Sequence, residues 1–368
     1  MLTNVKIKGF KSISDQSIDL GKINILIGAN GAGKSNFISF FKMMNQMVSG
    51  KLQLFIGVSG GADSLLYYAS KQTTQIESEI SFTDQNCSCI YTYKKQLIQT
   101  AQNILIFNKE SLLSVDRDNE STNLWEASDT GYKESMLLEN PENQLCLKFL
   151  QIMRQCKYFQ FHDTSETPKI KRNVYINDNM ALHSDAGNLA AILYTLKHVN
   201  TAYYKRIVSI LQQIMPFFGD FVLDKNKLNK HQILLNWKES SSDLIFGPYQ
   251  LSDGSLRVIA LVTLLMQPEE DMPETIIIDE PELGLHPHAI ETIVSLIRYA
   301  SRYSKIIIAT QSSEMLDYFG LEEIIITDRA DQQTIFKRLD ENKLIEWIKE
   351  YSMSELWRKN VIGGGPLQ

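Results

Sequence analysis

Apolar and polar residues alternate over Val5–Phe10, which predicts a strand with one buried face. The β-branched run Ile23–Ile27 predicts a second, fully buried strand that stops at Gly28. From Lys34 to Val48 the rhythm becomes helical, with Phe37, Phe40, Phe41, Met44 and Met47 on one stripe. Gly57–Gly61 interrupts it, and Gln75–Phe82 and Ile90–Tyr93 then predict strands of a meander. The polar stretch Asp116–Tyr132, rich in Asn, Ser and Asp, predicts an exposed loop. Helical spacing returns over Pro141–Cys156, Asn188–His198 and Tyr203–Met215. Turns are expected at Asp224–Asn229 and Glu239–Asp243, on either side of a short strand at Ile233–Trp237.

Toward the C-terminus helices and buried strands take turns: helix Leu256–Met266, strand Thr275–Ile278, helix Pro287–Tyr303, strand Lys305–Ala309, helix Glu314–Phe319 and strand Glu323–Thr327. That alternation predicts a doubly wound α/β core. The expected organisation is an N-terminal lobe over 1–115, an inserted, mainly helical region over 116–245 and a C-terminal lobe over 246–368. There is no internal repeat, heptad run or low-complexity segment.

No apolar run approaches the roughly 20 residues that a bilayer span needs. The opening MLTNVKIKGFKS lacks the apolar centre and cleavage site of a signal peptide. A cytoplasmic protein without membrane contact is therefore expected. The net charge of −6 argues against broad, non-specific nucleic-acid binding but leaves room for a local basic groove. Cys87, Cys89, Cys146 and Cys156 match no common zinc spacing and read as structural.

The strongest chemical signal is Gly28-Ala29-Asn30-Gly31-Ala32-Gly33-Lys34-Ser35, a phosphate-binding loop between a predicted strand and a predicted helix. Its glycines let backbone N–H groups approach phosphates, and the helix start adds its positive dipole end. Asn30, Gly31, Ala32, Gly33, Lys34, Ser35 and Asn36 are thus the candidate ATP-binding segment, with Lys34 reaching the phosphates and Ser35 binding Mg²⁺. The second signal is Thr275–Pro281, a β-branched strand ending in two carboxylates. Asp279 is placed to hold Mg²⁺, and Glu280 to activate the attacking water as general base. Alone, such a run could equally be a strand entering a solvated loop.

Leu251-Ser252-Asp253-Gly254-Ser255-Leu256-Arg257 resembles the signature motif of ABC-type ATPases, usually Leu-Ser-Gly-Gly. The resemblance implies that Ser252 and Gly254 of one subunit contact the γ-phosphate held by the loop of another, making a homodimer with composite ATP sites. The bland alternative is a capped helix. Ile306–Ser312 is similar to the switch region, with Gln311 where most transporter ATPases have His. Gln160, or His162 in the adjoining Phe161–Ser165, is a candidate γ-phosphate sensor, and a surface turn is at least as good a reading. His286 and His288 read as structural or as neighbours of the dimer seam.

Taken together, these residues resemble compact RecF/SMC/OLD-like ABC-type ATPases, a group with members in bacterial phage-defence loci. Further matching stretches are Asn188–Leu189, Pro216–Phe218, Asp279–Pro287 and Leu356–Gly364. Gly365 stands where the family often has Arg. The resemblance implies an ABC-type P-loop ATPase head: α/β, with a mixed sheet core and an inserted helical/β subdomain. It implies ATP and Mg²⁺ as cofactors and an ATPase switch or sensor acting with a nuclease or other effector in trans. The alternative is a stand-alone RecF-like DNA-repair ATPase binding DNA ends or gaps. A transporter ATPase fits the Glu282–Pro287 sequence poorly. Long coiled-coil arms are not expected between Lys34 and Asp279, nor a fused Toprim nuclease after Asp279.

Overall fold

In a computed structural model of the chain, residues 1–84, 89–116, 118, 121–161 and 168–365 are described. They form two units. One comprises Met1–Tyr158, Glu274–Ile277 and Ile307–Gln368, the other Phe159–Pro273 and Ile278–Ile306.

The first unit opens with β1 (Leu2–Phe10), β2 (Ile13–Asp19) and β3 (Ile23–Ile27), followed by α1 (Lys34–Met47) and α2 (Leu52–Val58). The meander comprises β4 (Gln75–Thr83), β5 (Cys89–Gln99), β6 (Leu105–Asp116) and β7 (Ser121–Glu126); α3 (Gln144–Arg154) and β8 (Cys156–Phe159) follow. An antiparallel sheet runs in the order β2-β1-β4-β5-β6-β7. Its period-two pattern is clear in β4, where Ile76, Ser78, Ile80 and Phe82 face inward.

The polar stretch expected to be a loop contains β7, paired to β6 from Asp116↔Ser121 to Ser111↔Glu126. β7 is an edge strand with only Trp125 buried, so its side chains give no apolar alternation while its backbone still pairs. The expected helix Pro141–Cys156 begins at Gln144, where Asn143 accepts from the N–H groups of Leu145 and Cys146, and Cys156 already belongs to β8.

The second unit holds β9 (Val174–Tyr175), α4 (Leu189–His198), α5 (Thr201–Ile214), β10 (Phe218–Val222), β11 (Gln232–Ile233), β12 (Asn236–Glu239), β13 (Ile245–Phe246) and α6 (Asp253–Leu265). In small antiparallel sheets β10 pairs with β12 and β12 with β13, and β11 pairs with β9. α6 is apolar nearly all round and is buried from Val258 to Leu265.

The chain continues through β14 (Thr275–Asp279), α7 (Pro287–Ala300), β15 (Lys305–Thr310), α8 (Ser313–Leu316), β16 (Ile324–Ala330), β17 (Gln333–Arg338), α9 (Glu341–Leu344) and α10 (Met353–Arg358). A second sheet has the order β17-β16-β3-β15-β14-β8. β16 is parallel to β3 and antiparallel to β17, so the α/β fold has a mixed sheet. In the first unit, α1 buries Phe37, Phe40, Phe41 and Met44 in one core with Val5 and Ile80 of the antiparallel sheet and Leu26 and Ile325 of the mixed one. Among the described residues no helix is long and apolar enough to cross a membrane.

Candidate functional site

The run from β3 into α1 is the strand–loop–helix context that the phosphate-loop pattern requires. α1 starts at Lys34 with Gly33 as its N-cap, no side-chain cap and no acidic residue in its first turn. The N–H groups at this end have no acceptor within the helix, and the dipole there favours an anion. Gly33 has φ 114°, and a Cβ on it would fall 2.0 Å from Thr334 Oγ1. Only glycine fits that left-handed, crowded position.

Lys34 is 5% exposed; its Nζ donates to Gly28 O at 2.6 Å and to Ala29 O at 3.2 Å. The ammonium is thus folded over the loop's own carbonyls. Asn30, Gly31 and Ser35 are exposed, Asn36 is half-buried and Ala32 is buried. This donor set fits a polyphosphate: a cation, an uncapped helix start and an exposed hydroxyl in one loop.

Other parts of the first unit brace that loop. Thr334 Oγ1 lies 2.6 Å from Ser12 Oγ and donates to Ala32 O at 2.9 Å. Asn36 Nδ2 donates to Ser12 Oγ at 2.6 Å. Ala29 N donates to Gly364 O at 2.9 Å, and Gly364 N donates to Asp328 Oδ2 at 3.3 Å. Ser12 and Thr334 do not stand out in the sequence, and although Leu356–Gly364 is one of the matching stretches, no local pattern pairs Gly364 with Ala29. Gly365 N donates to Asn360 Oδ1 at 3.2 Å, and Pro366 lies outside the described residues. Gln311, also in the first unit, is half-buried just beyond the end of β15.

In the second unit, Asp279 ends β14 and Glu280 follows with φ 48°, a left-handed conformation uncommon for a residue with a side chain. Both carboxylates are half-buried and line a small cleft with Phe161, Arg257, Leu261 and Pro281. α6 begins at the signature. Ser252 is its N-cap, and its Oγ accepts from Ser255 N at 3.0 Å. A Cβ on Gly254 would fall 2.7 Å from Gly284 O, and Arg257 Nη1 donates to Leu283 O at 2.6 Å. The first turn of α6 is therefore seated on the loop that follows Glu280. Lys171 Nζ lies 2.8 Å from Asp253 Oδ1, a pair not anticipated from the sequence.

Gln160 N donates to Ser184 O at 2.8 Å, whereas His162 through Ser165 lie outside the described residues. His286 caps α7, accepting from His288 N at 3.4 Å. Asn188 is fully buried. Its amide donates to Asp178 O and Ala181 O and accepts from His183 N, so it ties a turn rather than facing solvent. Cys146 and Cys156 are buried free thiols; burial pushes Cys146 up to about 11 and Cys156 up to about 12, while Cys89 is half-buried in β5 and Cys87 lies outside the described residues. Among the described residues no group of three or more His, Cys, Asp or Glu gathers to hold a metal.

Strand, loop and helix together make an α/β P-loop fold with mixed sheets. The family described as "AAA domain, putative AbiEii toxin, Type IV TA system" matches residues 157–317, less than half of the chain. The energy-coupling factor transporter ATP-binding protein EcfA2 of Staphylococcus aureus is 27% identical over 132 residues, 34% of this chain and 44% of that protein. The chain thus spans less than half the length of the curated relatives it matches. An SMC head bound to the C-winged helix domain of ScpA has a TM-score of 0.59 at 15% identity, covering 94% of this chain and 99% of its own. An SMC head with an extended coiled coil, bound to the C-terminal domain of ScpA from Pyrococcus furiosus, has a TM-score of 0.61 at 14% identity, covering 95% and 98%. At these identities the likeness is one of fold.

Proposed function

We propose that the chain binds ATP with Mg²⁺ and hydrolyses it at sites that a second copy completes, as the cytoplasmic switch subunit of an antiviral defence complex. A nuclease or toxin partner supplies the output in trans. The observation that carries the ATPase reading is the loop Gly28–Ser35: it has a buried lysine, an exposed serine and an uncapped helix start.

On this reading the backbone of Asn30–Asn36 surrounds the phosphates. Lys34 exchanges its bonds to Gly28 O and Ala29 O for phosphate oxygens. Ser35 and Asp279 are the residues that would hold Mg²⁺, which supplies charge neutralisation on the phosphates. Glu280 accepts the proton of the attacking water, and Gln311 offers a hydrogen-bond donor to the γ-phosphate. Ser252 and Gly254 approach from the other copy, bringing a second helix start to the same phosphate.

The match to a family described by a toxin and a Type IV TA system supports the defence context. SMC heads bound to ScpA support the idea of a partner protein on the head. The same fold likeness favours the second reading, a RecF-like DNA-repair ATPase that binds DNA ends or gaps. Purification with the product of the neighbouring gene separates the two. A co-eluting nuclease or toxin upholds the first, and tight binding to DNA ends by the chain alone upholds the second.

The hydrolytic role is tested by Glu280→Gln, which keeps size and hydrogen bonding but accepts no proton at neutral pH. Turnover should fall by roughly 10²–10⁴ while ATP still binds, the usual scale for a lost general base. Phosphate release at the unaltered rate would place the base on another residue.

A further inference from the structure

At the position where the usual ABC signature has glycine, this chain carries Asp253, the first residue of α6. A carboxylate there stabilises its own helix by facing the positive end of the dipole. The same carboxylate opposes any phosphate that approaches that end. Its side chain is 69% exposed, so it faces outward from the helix start. The structure supplies the compensating charge. Lys171, between β8 and β9, places Nζ 2.8 Å from Asp253 Oδ1, with its own side chain only 14% exposed. Ser252 stays engaged with Ser255, and Arg257 holds the helix to Leu283 O; neither neutralises Asp253.

We propose that Lys171 neutralises Asp253 so that the first turn of α6 can receive the γ-phosphate held by a second copy of the chain. Lys171 is thereby a positioning residue of the composite site. The inference rests on the reading in which Ser252 and Gly254 act across the dimer. It adds a residue outside the motifs and explains how an acidic signature accepts an anion.

Lys171→Met keeps the aliphatic stem and removes the charge. Turnover should fall about tenfold or more, the scale of one uncompensated charge near a phosphate. ATP affinity of the monomer and the melting temperature should hold. Lys171→Arg should retain turnover, and adding Asp253→Asn to Lys171→Met should restore most of it. Only an electrostatic role predicts that rescue. Wild-type turnover in Lys171→Met, or a double variant as slow as Lys171→Met, overturns the proposal. Ser252→Arg, measured alongside, separates the two levels. If it leaves hydrolysis intact, the composite-site reading fails and Lys171 with it. If it abolishes hydrolysis while Lys171→Met does not slow it, only the assignment of Lys171 fails.

Discussion

Lys34 has two attachments that pull on the same atom. Its ammonium is nearly buried and satisfied by two carbonyls of its own loop, so the loop keeps its curvature without a ligand's help. Lys34→Ala removes that clasp and the side-chain cation together. Hydrogen bonds to a charged group are worth about 1.5–3 kcal/mol each, so ATP binding should weaken by about ten- to a hundredfold or more. Titration with a fluorescent ATP analogue, beside a circular-dichroism melt that shows the fold intact, checks this. An unchanged dissociation constant in the folded variant removes Lys34 from the nucleotide site.

At the scale of elements, β5 carries an unusual inward residue. Lys95 is 3% exposed, lies opposite Glu110 of β6 and points at the Phe40 ring, 5.6 Å away; among the described residues its Nζ has no hydrogen-bond partner. Burial holds its ammonium down to about 7 from an ordinary 10.5, with Glu110 opposing the shift. Between those two values the folded chain binds fewer protons here than the unfolded chain. Stability therefore rises with pH through that window, and burial of this group works against the fold below it. Burial also raises Glu110 above its ordinary 4.5, and that shift acts with the opposite sign, lowering stability as pH rises from there. Lys95→Met should flatten the climb of melting temperature between about pH 7 and about 10.5, and raise stability at the lower end. A slope identical to wild type would show that Lys95 is not the group responsible.

The same scale decides what was legible from the sequence. β3, the phosphate loop and α1 are contiguous, and each carries a local pattern: a β-branched run, glycines before Lys-Ser, and a stripe of Phe and Met. Their limits accordingly agree closely with the structure. β14 and β15 were legible for the same reason, being buried on both faces. β7 was hidden because an edge strand has little to bury. Thr334 over Gly33, Gly364 on Ala29 and Lys171 on Asp253 join residues far apart in the chain, and no periodicity or spacing encodes such a pairing.

The proposed mechanism makes the molecule's working form a pair. With hydrolysis blocked by Glu280→Gln, ATP should hold two copies head to tail, and light scattering should report twice the monomer mass only with nucleotide present. Ser252→Arg should block hydrolysis but not binding. Mixed with Lys34→Ala, it gives one site with both lesions and one with neither, so activity should partly return where the sites act independently. Full ATPase activity from a chain that stays monomeric in ATP over a wide concentration range would reduce the signature to a capped helix.

The bracing of the phosphate loop also bears on how the chain is made. Ala29 is fastened to Gly364, Ala32 to Thr334, and β3 lies beside β16, so the loop is closed by segments translated long after it, Thr334 coming 302 residues after Ala32. Such pairings carry a large loop-closure cost and form late. On the ribosome, Gly28–Ser35 emerges well before these partners and lacks the bonds to Thr334 and Gly364 until residues through 364 have left the exit tunnel. A chain interrupted before that point has the loop's sequence but not this anchoring.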